Sequence, residues 1–147
     1  MIQPDDPAIS ASLEDYLEVI FWLVREQKVA RSKDIADRLK VSKPSVTGAL
    51  RQLSAAGYIN YDPYSYVTLT PEGERRALHI VERHAVLSDF LRRVLGVASD
   101  KADANACRME HAIDDEVLNR LAEFIRFVDS EKPDVRAWMK SRAKESP

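Results

Sequence analysis

The stretch from Ala30 to Leu69 constrains the fold more than any other part of the chain. Ala30 to Leu39 reads as a short helix capped by Ser32, with Ile35, Ala36 and Leu39 turned inward. Lys40-Val41-Ser42 leaves room only for a tight connection. Ser42 suits the N-cap of a further helix, and Pro44 falls in its first turn, where a missing N–H is harmless. Val46, Leu50 and Leu53 mark that helix's buried face, and Gly57 is placed to end it in the left-handed region. Two short strands are then expected, Tyr58 to Tyr61 and Tyr66 to Leu69, joined by Asp62-Pro63-Tyr64-Ser65 as a type I turn.

Helix, short turn, capped helix and hairpin in this order describe a winged helix-turn-helix, in which the helix from Ser42 enters a DNA groove. The charge agrees. Arg31 to Tyr66 carries six basic and three acidic residues, net +3, inside a chain whose total is -2. The early residues of the reading helix, Lys43, Ser45, Thr47 and Gly48, are small or hydrogen-bonding, and Arg51 follows one turn on. Such residues bond phosphates or base edges and let a helix backbone come close. The expected DNA-binding residues are Arg31, Ser32, Lys33, Ser42, Lys43, Pro44, Ser45, Thr47, Gly48, Arg51 and Tyr64.

The rest of the chain reads as helical, so the fold class is mainly α. A first helix starts at Ser10 or Ser12, with a Ser12 cap and Asp15 forming an approximate capping box. Thr70-Pro71-Glu72 opens a long helix expected to reach Leu95 and stop at Gly96. Ser99-Asp100 starts a helix carrying Cys107 to His111. Asp114-Asp115-Glu116 is the acidic start of another, and Pro133-Asp134 begins a short last one before a frayed tail. The expected division is a winged helix-turn-helix domain over 1–73, and an all-α dimerisation and metal-sensing domain over 74–147.

Composition bounds the rest. The chain has 147 residues, 45% apolar and 31% charged, which is ordinary for a globular protein, and no apolar run suits a membrane span. With one cysteine there is no internal disulfide, and the start of the chain lacks a basic signal segment, so a cytoplasmic location is expected. That cysteine opens Cys107-Arg108-Met109-Glu110-His111, placing a thiol, a carboxylate and an imidazole at i, i+3 and i+4 of one helical face. They form a ligand set for a transition metal, or equally a small buried thiol beside a solvated face. Asp15 and Glu18 lie one turn apart on the first helix, and His84 sits on the long one. A water-activating metal centre and a redox or small-molecule switch at Cys107 are the alternatives.

Several motifs in one order resemble the diphtheria toxin repressor and manganese transport regulator family of metal-dependent repressors. They are Leu13-Glu14-Asp15-Tyr16-Leu17-Glu18, Asp34-Ile35-Ala36, Val41-Ser42-Lys43-Pro44-Ser45-Val46-Thr47, Leu69-Thr70-Pro71-Glu72-Gly73, Arg83-His84 with Leu87, and the Cys107 run. The resemblance implies metal ligands at Asp15, Glu18, His84, Cys107, Glu110 and His111. It implies a homodimer on a palindromic duplex operator, repressing manganese or iron uptake genes with the metal as corepressor; nothing in it suggests an enzyme.

The chain mixes two patterns. Asp15 is the manganese-type residue where iron-type members have Met; Cys107 is the iron-type residue. Carboxylates suit Mn²⁺, while the thiolate favours Fe²⁺, Co²⁺ or Zn²⁺. At the iron-type ancillary positions stand Ser88 and Asp103, so a paired-metal site of the manganese type, two ions per subunit, is the expectation.

Overall fold

The computed structural model describes residues 9–130 together with 134, 135, 137, 140 and 141. The chain divides into two compact units that meet between Ile80 and Val81.

The first unit begins with helix α1, Ala11–Gln27, whose N-cap is Ser10: its side chain accepts from the Leu13 backbone N–H. The capping box from Ser12 is therefore not the one used. Helix α2 spans Ser32–Leu39, and its N-cap is Arg31 rather than Ser32, with no capping hydrogen bond from the side chain. Helix α3 spans Lys43–Ala55; Ser42 caps it by accepting from Ser45 N, and proline stands in its first turn as the sequence requires. Gly57 follows at φ 82°, the left-handed exit that a glycine makes without strain.

Leu17, Ile20, Ile35, Val46, Leu50, Leu53 and Val67 are fully buried among these elements. Burying each such aliphatic side chain stabilises the unit by roughly 1.5–3 kcal/mol relative to exposure.

The hairpin is shorter than its apolar pattern suggests. Strand β1 is Ile59–Asn60 and strand β2 is Thr68–Leu69, antiparallel, with Ile59 opposite Leu69 and Asn60 opposite Thr68. An isolated bridge between Ala30 and Val67 ties the start of the helix pair to the same hairpin. In the turn, Ser65 N donates to Asp62 O at 3.0 Å, and Tyr64 takes φ 67°. A positive φ at the third position is the type II geometry, so the turn is not the type I that Asp-Pro suggested.

Helix α4, Pro71–Asp89, is anchored to the hairpin at its start. Thr70 Oγ1 donates to Gly57 O at 2.6 Å and accepts from Gly73 N at 3.0 Å. A Cβ on Gly73 would lie 1.8 Å from Tyr58 O, so this contact requires a glycine. The helix does not continue unchanged to Leu95: Phe90–Val94 form a π turn, with Leu95 N bonded to Phe90 O, before Gly96 at φ 69°.

In the second unit, helix α5 spans Ser99–Met109, starting where expected, with Ala98 at the N-cap. It ends before His111; Glu110 is its C-cap and keeps helical dihedral angles. Helix α6, Asp115–Ser130, has the expected acidic first turn. Leu87, Ala106 and Leu118 form a buried cluster, with Val86, Ile113 and Leu121 packed on it. The last helix expected from Pro133 and the tail fall largely outside the described residues. Among the described residues, no helix is long and apolar enough to cross a membrane.

A basic groove and a candidate metal centre

The first unit carries a groove between the start of α2, the outer face of α3 and the hairpin. Arg31, Ser32, Lys33, Lys43, Thr47, Arg51 and Tyr64 line it, together with Tyr61, Pro63, Ser65 and Tyr66. Its volume is about 520 Å³. Four cations and no carboxylate face it, so its field attracts a polyanion.

The other expected DNA-binding residues lie elsewhere on α3. Pro44, Ser45 and Gly48 line a separate recess against Ser10, Ser12 and Leu13 of the same unit. Ser42 is occupied as the cap, with its Oγ 2.9 Å from Ser45 Oγ. Thr47 Oγ1 donates to Lys43 O at 3.2 Å and keeps acceptor capacity. Tyr61 and Tyr66 line the groove without having been among the expected residues; the signal for Tyr66 was its place one residue before the inward-facing Val67, which turns it outward.

The second unit brings three of the expected ligands together. His84, Cys107 and Glu110 each offer one ligand atom, and these atoms lie within 4.8 Å of one another. His84 Nδ1 is 2.7 Å from Glu110 Oε2 and 3.7 Å from Cys107 Sγ. His111, beyond the helix end, approaches the other side of the same carboxylate, Nε2 to Oε1 at 3.5 Å. Asp15 and Glu18 stand one turn apart on α1 in the first unit.

Glu110 decides what this cluster can do. It is 1% exposed, and its Oε1 is buried without a hydrogen-bond partner. A buried carboxylate oxygen in that state costs roughly 1–3 kcal/mol unless something binds it. A cation is the natural partner. Imidazole nitrogen, thiolate sulfur and carboxylate oxygen together match a divalent transition ion, so the residues fit a metal.

The surrounding structure holds the cluster in place. Arg83 Nε donates to Glu110 O at 2.7 Å, Nη1 to Asp115 Oδ1 at 2.6 Å, and Nη2 to Ile113 O. One guanidinium thus fixes the turn between α5 and α6, a role that its motif did not reveal. Ser88 and Asp103 are bonded to each other, Ser88 Oγ to Asp103 Oδ1 at 2.5 Å, with His84 Nε2 3.8 Å from the same oxygen.

Comparison with known proteins also divides the chain in two, with the boundary near residue 70, about ten residues before the division between the compact units. Residues 8–67 match the family model "Iron dependent repressor, N-terminal DNA binding domain". Residues 70–136 match "Iron dependent repressor, metal binding and dimerisation domain". The chain belongs to the iron-dependent repressor family.

Curated relatives include the transcriptional regulator MntR of Salmonella typhimurium, 41% identical over 76% of this chain and 71% of its own. The HTH-type transcriptional regulator MntR of Lysinibacillus sphaericus is 35% identical over 84% and 88%. Among solved structures, a manganese-dependent transcriptional repressor in complex with manganese superposes with a TM-score of 0.71 at 34% identity, covering 78% of this chain and 53% of that one. The manganese regulator SloR superposes with a TM-score of 0.71 at 27% identity, covering 78% and 54%. The chain spans about half the length of those two solved chains. The family is one of metal-dependent transcriptional regulators.

Proposed function

We propose that this chain is a metal-responsive repressor that acts in the cytoplasm as a homodimer on a palindromic duplex operator, silencing genes for manganese or iron uptake when the metal is plentiful. The observation that carries this reading is Glu110, a buried carboxylate with one oxygen that accepts no hydrogen bond, beside imidazoles and a thiol, in a chain whose other unit bears a four-cation groove. His84, Cys107, Glu110 and His111 hold the ion, and Asp15 and Glu18 are the further ligands that the family resemblance assigns. Two ions per subunit follow if Glu18 serves a second position.

When bound, the metal supplies positive charge that neutralises the carboxylates and stabilises one conformation of the chain. The residues do the rest. Arg83 keeps Glu110 in register through the α5–α6 turn, and the groove cations meet DNA phosphates. The fraction of chains in the DNA-competent state then follows metal concentration, and by linkage DNA raises metal affinity by the same factor. Helix α6 exposes Val117, Phe124 and Phe127, an apolar surface suited to a second copy. In a two-fold dimer the reading helices meet half-sites one helical turn apart or a multiple of it.

Manganese is the favoured ion, supported by the manganese-dependent relatives and the carboxylate-rich set; Fe²⁺ is the other physiological candidate, with Zn²⁺ and Co²⁺ binding in vitro. The test is operator binding after chelation, then titration with Mn²⁺, anaerobic Fe²⁺ and Zn²⁺. Affinity should fall on chelation and return with Mn²⁺, and Cys107→Glu should shift the preference further from Zn²⁺ toward Mn²⁺. DNA binding indifferent to chelation would sink the proposal.

A further inference from the structure

Arg31 caps helix α2 by position, yet its side chain makes no capping hydrogen bond. Its guanidinium carbon lies instead 5.3 Å from the centre of the Tyr66 ring. Backbone pairing fixes the two residues together. Ala30 N donates to Val67 O at 2.9 Å, and Val67 N donates to Ala30 O at 2.8 Å. In an antiparallel pair the next residues in register are Arg31 and Tyr66. Ala30 and Val67 are fully buried, so alternation turns Arg31 and Tyr66 outward, onto the same face. Both are exposed, and both line the basic groove.

A guanidinium is flat. Stacking uses its face against the ring and leaves the N–H groups on its edge free to fork onto an oxyanion. An exposed arginine without such a support must give up rotamer freedom when it binds. Here the hairpin has already restricted it.

We infer that Arg31 and Tyr66 form one preorganised phosphate clamp, in which Tyr66 is a positioning residue that aims Arg31 at the backbone of duplex DNA held in the groove. This rests on the reading of the groove as the DNA-binding surface. It goes beyond that reading by giving Tyr66 a role and by making the two residues energetically one unit.

The experiment measures binding of the full chain, with manganese chloride present, to a mixed-sequence DNA duplex several helical turns long across a salt titration. Arg31→Ala should weaken binding and reduce the slope of log K against log salt by about 0.9, one phosphate contact. Tyr66→Leu should weaken binding roughly two- to fivefold, the range of an exposed cation–π contact, while Tyr66→Phe, which keeps the ring, should bind as the unmodified chain does. In the Arg31→Ala background, Tyr66→Leu should cost nothing more. Arg31→Lys should keep the salt slope but lose most of its dependence on Tyr66, since an ammonium does not stack as a plane. Circular dichroism on each variant confirms that the hairpin is intact; the Arg31 substitutions, at an exposed side chain, carry the test if Tyr66→Leu is not.

Additive losses in the double variant, or an unchanged slope for Arg31→Ala, overturn the clamp while leaving the DNA-binding reading in place. A flat salt titration for the unmodified chain overturns both.

Discussion

The groove of the first unit and the ligand cluster of the second stand in opposite relations to water. Arg31, Lys33, Lys43 and Arg51 are solvated in the free protein, and holding them side by side on a surface costs little. Glu110 has already been taken out of water, with one oxygen turned to His84 and the other left without a hydrogen bond. A DNA surface is thus a surplus of well-solvated donors that a partner later collects. A metal site carries a standing deficit that the ion removes. Substitutions in the two places should therefore have different signatures: loss of function at unchanged stability in the groove, and a trade between stability and function in the cluster.

The largest expected effect is at Glu110. Glu110→Gln preserves the volume and an acceptor for His84 but removes the charge. Manganese affinity should fall about 100-fold or more, beyond the 10–100-fold typical when only an outer-shell partner is lost. Melting of the metal-free protein should change little or move upward, because a buried charged oxygen that accepts no hydrogen bond no longer has to be accommodated. Thermal melts with and without Mn²⁺ check both halves, since an ion bound only by the folded state raises the melting temperature in proportion to its affinity. A Gln variant still stabilised by Mn²⁺ as strongly as the unmodified chain would remove Glu110 from the ligand set.

Next is Gly73, which belongs to neither site but supports the hairpin beside the groove. A Cβ there would sit 1.8 Å from Tyr58 O and 2.7 Å from Tyr58 C, both backbone atoms that no rotamer change can move away. Gly73→Ala must push the start of α4 off the hairpin, stretching the bonds from Thr70 N to Tyr58 O and from Thr70 Oγ1 to Gly57 O. Overpacking of this kind costs on the order of 1–3 kcal/mol, at times more. Urea unfolding should show the loss, and an unchanged midpoint would mean that Gly73 and the Tyr58 backbone do not approach so closely.

The same contrast explains what the sequence reveals. The DNA-reading unit was legible because its signals are local: Ser42 and Pro44 at a helix start, Gly57 at its end, and paired apolar runs for the hairpin. What failed there was the choice between neighbouring cap positions, Ser10 against Ser12 and Arg31 against Ser32; at the second the structure uses the residue with no side-chain acceptor for a cap. Tyr64 shows the other limit: Asp62-Pro63 suits two turn types, and a non-glycine residue at the third position gives no sign of the positive φ that Tyr64 adopts.

In the second unit the residue types of the cluster were legible and their arrangement was not. Spacing put Cys107, Glu110 and His111 on one helical face, but α5 ends at Met109. His84, some two dozen residues earlier in the chain, is the closer companion of Cys107 and Glu110. Arg83, which ties down that helix end through bonds to Glu110 O and Ile113 O, makes contacts that no periodicity encodes.

The smallest expected effect is the sharpest test of the contrast. Gly48 lies inside α3, where glycine is about 0.8–1.0 kcal/mol less favourable than alanine. A Cβ there would meet no described heavy atom within 4 Å, so the packing of the unit does not ask for a glycine. Gly48→Ala should therefore stabilise the fold by up to about 1 kcal/mol in urea unfolding. If α3 presses its backbone against DNA at this point, the same methyl group should weaken operator binding severalfold, so that stability and function move in opposite directions. A rise in stability with undiminished DNA affinity would place Gly48 off the interface, in line with its position in the recess beside Ser45 rather than in the groove with Thr47 and Arg51. The DNA-facing side of α3 would then be confined to Lys43, Thr47 and Arg51.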